Sequence, residues 1–307
     1  YHRLTDTLPI FIDKGRLSRL GTALAKMLPD METPLLSNYL LFREVWKIYE
    51  ERSVPYLRGI EPSADVFRRT RRALAAEGHI RPDVDYVRFW RNMSQSDQPA
   101  EDMVCIADPY TYVSHLSAMQ RYGLTNRRPR ALFITQLAPS SVGPLLKHIM
   151  HEDYGDRLDT ADYIEPLFYT HHPKRVRGRA IERLSAKDPG DWRAVKSSFS
   201  RIASIGQVFL DMIDAPAKCG GMAHVLDVWE AHASTYLDDI ITRIETAGKP
   251  IHKVRAGYIL AEYLSMSDPR VASWKAYAQR GGSRVLDPSR PFASTYSEDW
   301  MLSLNAT

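Results

Sequence analysis

The sequence predicts a mixed α/β protein whose last third is mainly helical. Three observations predict it. A basic stretch from Ser63 to Trp90 reads as a helix followed by a small hairpin. Apolar runs flanked by turn residues alternate with helical periods from about residue 103 to 220. After Gly220 and Gly221 the pattern turns to long helical periods. At 307 residues the chain has room for two or three domains, and 44% hydrophobic with 25% charged residues is ordinary for a globular protein.

The basic stretch is justified residue by residue. Ser63 follows Pro62 and supplies a hydroxyl for the orphan amides of a helix start, with Asp65 in the first turn. Gly78 stops the helix, since only glycine takes the left-handed cap cheaply. Phe67, Thr70 and Leu74 line one face, with Arg71 at its border, and Arg68, Arg69 and Arg72 project from the other. A short strand with Arg81, a Pro82-Asp83 turn and an aromatic second strand preceded by Arg88 complete the hairpin. Upstream, Asn38 to Glu51 has a helical period through Leu41, Val45, Ile48 and Tyr49. Helix, turn, basic helix, hairpin is the order of a winged helix-turn-helix, in which the basic helix enters the major groove and the hairpin touches the backbone. Alone, the arginines also describe a solvated face; the hairpin behind them favours double-stranded DNA as the partner. The expected DNA-binding residues are therefore Ser63, Arg68, Arg69, Arg71, Arg72, Arg81 and Arg88.

The expected organisation is an N-terminal extension over 1–36, a winged helix over 37–93 and a larger domain over 94–307, with a subdivision near 221. Leu8 to Ile12 reads as a short strand and Arg16 to Leu28 as a weakly amphipathic helix. The polar segment from Ser94 to Ala100 reads as a linker. Beyond it, Met103 to Ala107 is an apolar run, Val113 to Tyr122 a helix, Arg130 to Thr135 a strand and Ser141 to Met150 a helix. Leu167 to Thr170, Val176 to Leu184 and Ser198 to Ile205 read as strands. Phe209 to Ile213 opens a helical stretch that ends at Pro216. Met222 to Ala247 and Ile251 to Leu264 read as two long helices, and Arg284 to Asp287 and Trp300 to Leu304 as short strands.

The net charge is only +4, so the basic character is local. Cys105 and Cys219 lack metal spacing and are expected as free thiols of a reducing cytoplasm. No apolar run suits a membrane span, so no membrane partner is expected. Catalytic signals are thin. Gly282-Ser283 lacks the paired carboxylates of a nucleotidyltransferase, with only Asp287 following. His171-His172 lacks a further ligand at metal spacing. No catalytic residue, metal or cofactor is therefore expected, and the chain does not read as an enzyme. A second basic cluster, Lys174, Arg175, Arg177 and Arg179, reads as one strand with its arginines on alternate positions and hence on one face.

The stretch from Asp108 to Thr125, with Tyr112, Ser114, Ser117, Ala118 and Gly123, resembles the Tyr-x-Ser-x-x-Ser-Ala-Leu-x-x-x-Gly-Leu-Thr pattern of AbiEi-type antitoxins. Leu210-Asp211 with Pro216, Gly220 and Gly221 is similar to a second segment of that family, and Arg255, Gly257 and Leu260 to a third. The resemblance covers most of residues 103–307, poorly over 150–200. It implies an antitoxin domain behind a winged helix, in a type IV toxin–antitoxin or abortive-infection system. Such a protein represses its own operon and counteracts a nucleotidyltransferase-like toxin, generally without a stable complex. On this reading Lys174, Arg175, Arg177 and Arg179 are the candidates for the antitoxin function. The alternative is a module that neutralises the toxin by direct binding, with the winged helix as scaffold.

Overall fold

The computed structural model describes residues 17–279 and 284–306. The expected strand at Leu8 to Ile12 and the Gly282-Ser283 pair lie outside these residues. In chain order the first elements are α1 (Arg19–Met27), β1 (Leu35–Ser37), α2 (Asn38–Glu50), α3 (Ala64–Ala76), β2 (Ile80–Pro82) and β3 (Phe89–Asn92). Then follow α4 (Ala100–Ala107), β4 (Tyr112–Val113), α5 (His115–Arg121), β5 (Ala131–Leu137), α6 (Pro139–Tyr154) and α7 (Arg157–Thr160). Next come β6 (Arg175–Val176), β7 (Arg179–Ala186), β8 (Trp192–Ala194), β9 (Arg201–Ala203) and α8 (Ile205–Asp214). The last part holds α9 (Met222–His232), α10 (Leu237–Ala247), α11 (Pro250–Gly257), a π-helical stretch (Tyr258–Tyr263) and the small ladder of β10 (Tyr296–Ser297) and β11 (Leu302–Ser303). The mixed α/β class expected from the sequence is thus present. No helix among the described residues is long and apolar enough to cross a membrane.

The described residues form two compact units, 17–98 with 143–169 and 99–142 with 170–279 and 284–306. This corrects the expected 1–36, 37–93 and 94–307 division in two places. First, α1 is not an appendage. Ser18 caps it by accepting from the Gly21 amide at 3.1 Å, and Leu20, Leu24 and Leu28 are buried with Phe42, Trp46 and Phe67. Each such leucine contributes roughly 1.5–3 kcal/mol of apolar burial. The Asn92 side chain, fully buried, donates to the Leu28 carbonyl at 2.8 Å and ties α1 to β3. Second, residues 143–169 return to the first unit. Tyr154 is buried edge-on against Trp46 at 5.3 Å and Tyr39 at 5.9 Å, and Tyr39 donates to Asp153 at 2.6 Å.

In that first unit β3 is the central strand of a three-stranded antiparallel sheet, order β1-β3-β2, with Leu36 opposite Trp90 and Arg81 opposite Arg91. The strand at Leu35–Ser37 has too short an apolar run to announce itself, and pairing with β3 makes it. The expected strand at Leu167 to Thr170 is absent, because this stretch joins no ladder.

The second unit holds a six-stranded mixed sheet, order β6-β7-β5-β4-β9-β8, in which β5 and β7 run parallel over seven pairs from Ala131↔Ala180 to Leu137↔Ala186. Its helical part packs Phe209 of α8 on Trp229 of α9, ring centroids 5.2 Å apart and both side chains fully buried. The expected subdivision near 221 therefore falls inside a continuous core. The apolar run Met103 to Ala107 forms most of α4. Two further expectations change. The helix expected over Met222 to Ala247 is broken at Ala233–Tyr236, where Ser234 and Thr235 are poor helix formers. The helix expected to Leu264 is α-helical only to Gly257.

Candidate nucleic-acid interface

The basic helix α3 begins as its sequence requires. Ser63 is extended (φ −82°, ψ 161°), and its hydroxyl accepts from the Val66 amide at 3.3 Å. That hydroxyl is thus engaged as a cap. Phe67, Thr70 and Leu74 are buried, and Phe67 meets Phe42 edge-on at 5.2 Å. The opposite face is exposed at Arg68, Arg69 and Arg72. Arg68 pairs with Asp65 at 2.6 Å, and the Arg69 Nε donates to the Asp65 carbonyl at 3.3 Å. An exposed pair one helical turn apart contributes well under 1 kcal/mol, so it yields readily to a phosphate. Arg72 has no ion pair among the described residues. The fold thus brings Arg68, Arg69 and Arg72 to one exposed face.

Arg71 lies elsewhere. Its guanidinium carbon stands 5.4 Å from the ring centroids of both Phe67 and Trp90, and its Nε is buried without a hydrogen-bond partner. It bridges α3 to β3 rather than joining the outer face. The loop between β2 and β3 is stiffened by the buried Asp83, whose Oδ1 accepts from the Asp85 and Tyr86 amides, each at 2.9 Å. Arg81 and Arg88 are exposed on this hairpin, with Val84 and Val87 exposed between them. The Arg88 guanidinium lies 4.7 Å above the ring of Phe168, from the returning segment. The sequence reading missed this partner. Its one signal is an apolar residue in a stretch with no clear period.

That segment continues alongside α3. The Asp162 amide donates to Glu61 at 3.0 Å, just ahead of the helix. The ring of Tyr163 packs edge-on against Phe42 at 5.3 Å, and its hydroxyl donates to Glu165. Burial, with help from Glu165, pushes this phenol up to about 12, while the positive charges of Arg68 and Arg71 pull the other way.

The second basic cluster differs from the expected single strand. Arg177 and Gly178 both have positive φ, 48° and 76°, and reverse the chain between β6 and β7. Two consecutive left-handed residues form the tight hairpin turn that suits the natural twist of strands, and glycine supplies the second at little cost. Arg175 and Arg179 therefore stand on two antiparallel strands, paired with Ala180 and Val176 respectively, and not on one face of one strand. Arg179 is bound to Glu101 at 2.8 Å, which also holds Arg121 at 2.6 Å. Lys174 and Arg175 are exposed, and Arg177 is half-buried at the turn.

The residues that carry the resemblance are largely buried. The Ser117 hydroxyl accepts the Phe133 amide at 2.9 Å, and Ser114 accepts from Thr135 at 2.8 Å. Asp211 accepts from Gln207 at 2.6 Å, and burial raises its carboxyl above the ordinary range. Arg255 donates to the carbonyls of Ile213 at 2.9 Å and Val285 at 3.0 Å, clipping α11 to α8 and to the C-terminal loop. Among the described residues there is no group of three His, Cys, Asp or Glu able to hold a metal ion.

No family model matches the chain, and no curated protein matches it. Among solved structures, the crystal structure of the RV2827C protein from Mycobacterium tuberculosis matches with a TM-score of 0.43 at 10% identity, covering 94% of this chain and 92% of that one. A likeness of that degree assigns neither fold nor function.

Proposed function

We propose that this chain is a cytoplasmic DNA-binding antitoxin that represses its own operon and counteracts a nucleotidyltransferase-like toxin. The observation that carries the DNA-binding half is the exposed row Arg68, Arg69 and Arg72 on α3. This helix belongs to a set of three helices and three strands whose order, α1-β1-α2-α3-β2-β3, supports reading it as a winged helix. In that arrangement α3 enters the major groove and Arg81 and Arg88 reach the backbone from the hairpin. The antitoxin half rests on the resemblance over residues 103–307.

The measurement is binding to the duplex upstream of the chain's own reading frame, as a function of salt. With roughly 4–6 phosphates neutralised, log K falls against log salt with a slope of about −4 to −5. Replacing Arg68, Arg69 and Arg72 together by Ala abolishes binding while leaving the thermal midpoint near wild type, since all three are exposed. Undiminished affinity in that variant sinks the assignment. A second reading, direct capture of the toxin, is favoured by exposed aromatic residues in the C-terminal region, Tyr263, Tyr277, Phe292 and Tyr296. Co-elution of the two proteins at micromolar concentration would support it over the first.

A further inference from the structure

The segment 155–169 follows the basic face of the first unit. It is tied at the start of α3, where the Asp162 amide donates to Glu61 and Arg157 lies 3.9 Å from the same carboxylate. It ends at the hairpin, where Phe168 lies under Arg88. Between these points the Tyr163 hydroxyl, which donates to Glu165, lies in the field of Arg68 and Arg71. The segment carries four carboxylates, Asp156, Asp159, Asp162 and Glu165, against the single guanidinium of Arg157, a net of −3. Asp156, Asp159 and Asp162 are exposed and Glu165 is half-buried. None of the four carboxylates is needed to fill the core, which takes Tyr163, Ile164 and Leu167 instead.

We propose that this segment is an acidic strap that restrains DNA binding by the α3 surface. The inference rests on the DNA-binding reading above and assigns its regulation. Two effects act together. A phosphate brought within about 8–10 Å of the strap meets its net negative charge, less than one screening length away at ordinary salt. The Arg88 guanidinium also stacks on Phe168, and a backbone contact that needs Arg88 to move competes with that stacking.

The test compares the whole chain with two variants, one with Asp156→Asn, Asp159→Asn, Asp162→Asn and Glu165→Gln together, the other with Phe168→Ala. The probes are the chain's own upstream duplex and a random duplex of equal length. The neutralised variant is expected to bind both about 5–10-fold tighter at about 0.1 M salt, with the gap closing by about 0.5 M. Phe168→Ala is expected to tighten binding about 2–3-fold by freeing Arg88. Thermal midpoints near wild type show that the strap still packs. Equal or weaker binding by both variants, while the wild type binds in an Arg68-, Arg69- and Arg72-dependent way, overturns the strap alone. If neither wild type nor variants bind either duplex, the DNA-binding reading falls and the strap falls with it.

Discussion

Burial decides what the single polar side chains of this protein can do. His172 shows it most clearly. Its imidazole is buried beside Asp108, with Thr111 Oγ at 2.9 Å from its Nε2. Burial lowers its pKa from 6.5 to about 4; Asp108 opposes the shift, and Arg183 and His171 add to it. The folded state therefore keeps His172 neutral where the unfolded chain would protonate it. Stability is full above about 6.5 and is lost as pH falls toward 4, because the unfolded state binds the extra proton across that window. The thermal midpoint of the wild type should decline from pH 6.5 to 4, by an amount equivalent to roughly 1–3 kcal/mol at most. His172→Asn should flatten the slope while lowering the midpoint at pH 7; an unchanged slope would disprove the assignment. None of this was readable from the adjacent pair His171-His172, which in sequence looks like a solvated basic loop. Arg71 is placed by its surroundings in a related way. Helical spacing puts it at the border of two faces, and only the sheet behind α3 decides which one it joins.

At the level of elements, local signals were legible wherever one residue type has no substitute. Ser63 directly precedes α3 and Gly78 stands two residues beyond its last residue, and the apolar faces of α2 and α3 follow from periodicity. Partnered elements were not legible. Three-residue β1 exists because β3 offers it a ladder, and the break between α9 and α10 leaves the apolar period unbroken, marked only by the modest helix propensities of Ser234 and Thr235. The basic cluster at 174–179 reads as alternation only if Arg177-Gly178 is taken as strand; two positive φ values make it a turn. Gly257 gives the sharpest test of an element fixed from outside. A Cβ at this position would overlap the ring of Trp300, which is itself buried. A rigid indole in a packed core cannot step aside, so α11 must come this close through a residue with no side chain. Gly257→Ala is expected to cost about 2–3 kcal/mol by chemical denaturation, although alanine normally favours a helix. A neutral or stabilising result would mean that α11 does not lie against Trp300.

For the whole molecule, the decisive feature is that the first unit is assembled from two separated stretches of chain. Residues 17–98 supply three helices and the small sheet, but Phe42 and Trp46 find edge-on partners in Tyr154 and Tyr163 from the second stretch. Met150, Leu158, Ile164 and Leu167 pack against the same core. A sequence reading assigns each stretch to the domain it is nearest along the chain, and no local signal says that 143–169 returns. The consequence is measurable. A fragment of roughly 80 residues is near the lower limit of what one core can hold together, and removing buried aromatic contacts costs about 3–5 kcal/mol for each large side chain lost. Residues 17–98 alone should therefore be largely unfolded or loosely packed at 25 °C. Addition of a peptide spanning 143–169 should restore a cooperative thermal transition, and a peptide with Tyr154→Ala and Tyr163→Ala should not. Cooperative unfolding of 17–98 by itself, unaltered by the peptide, would show that the returning segment adds nothing to the fold of this unit. It would also remove the packing that holds the strap beside α3.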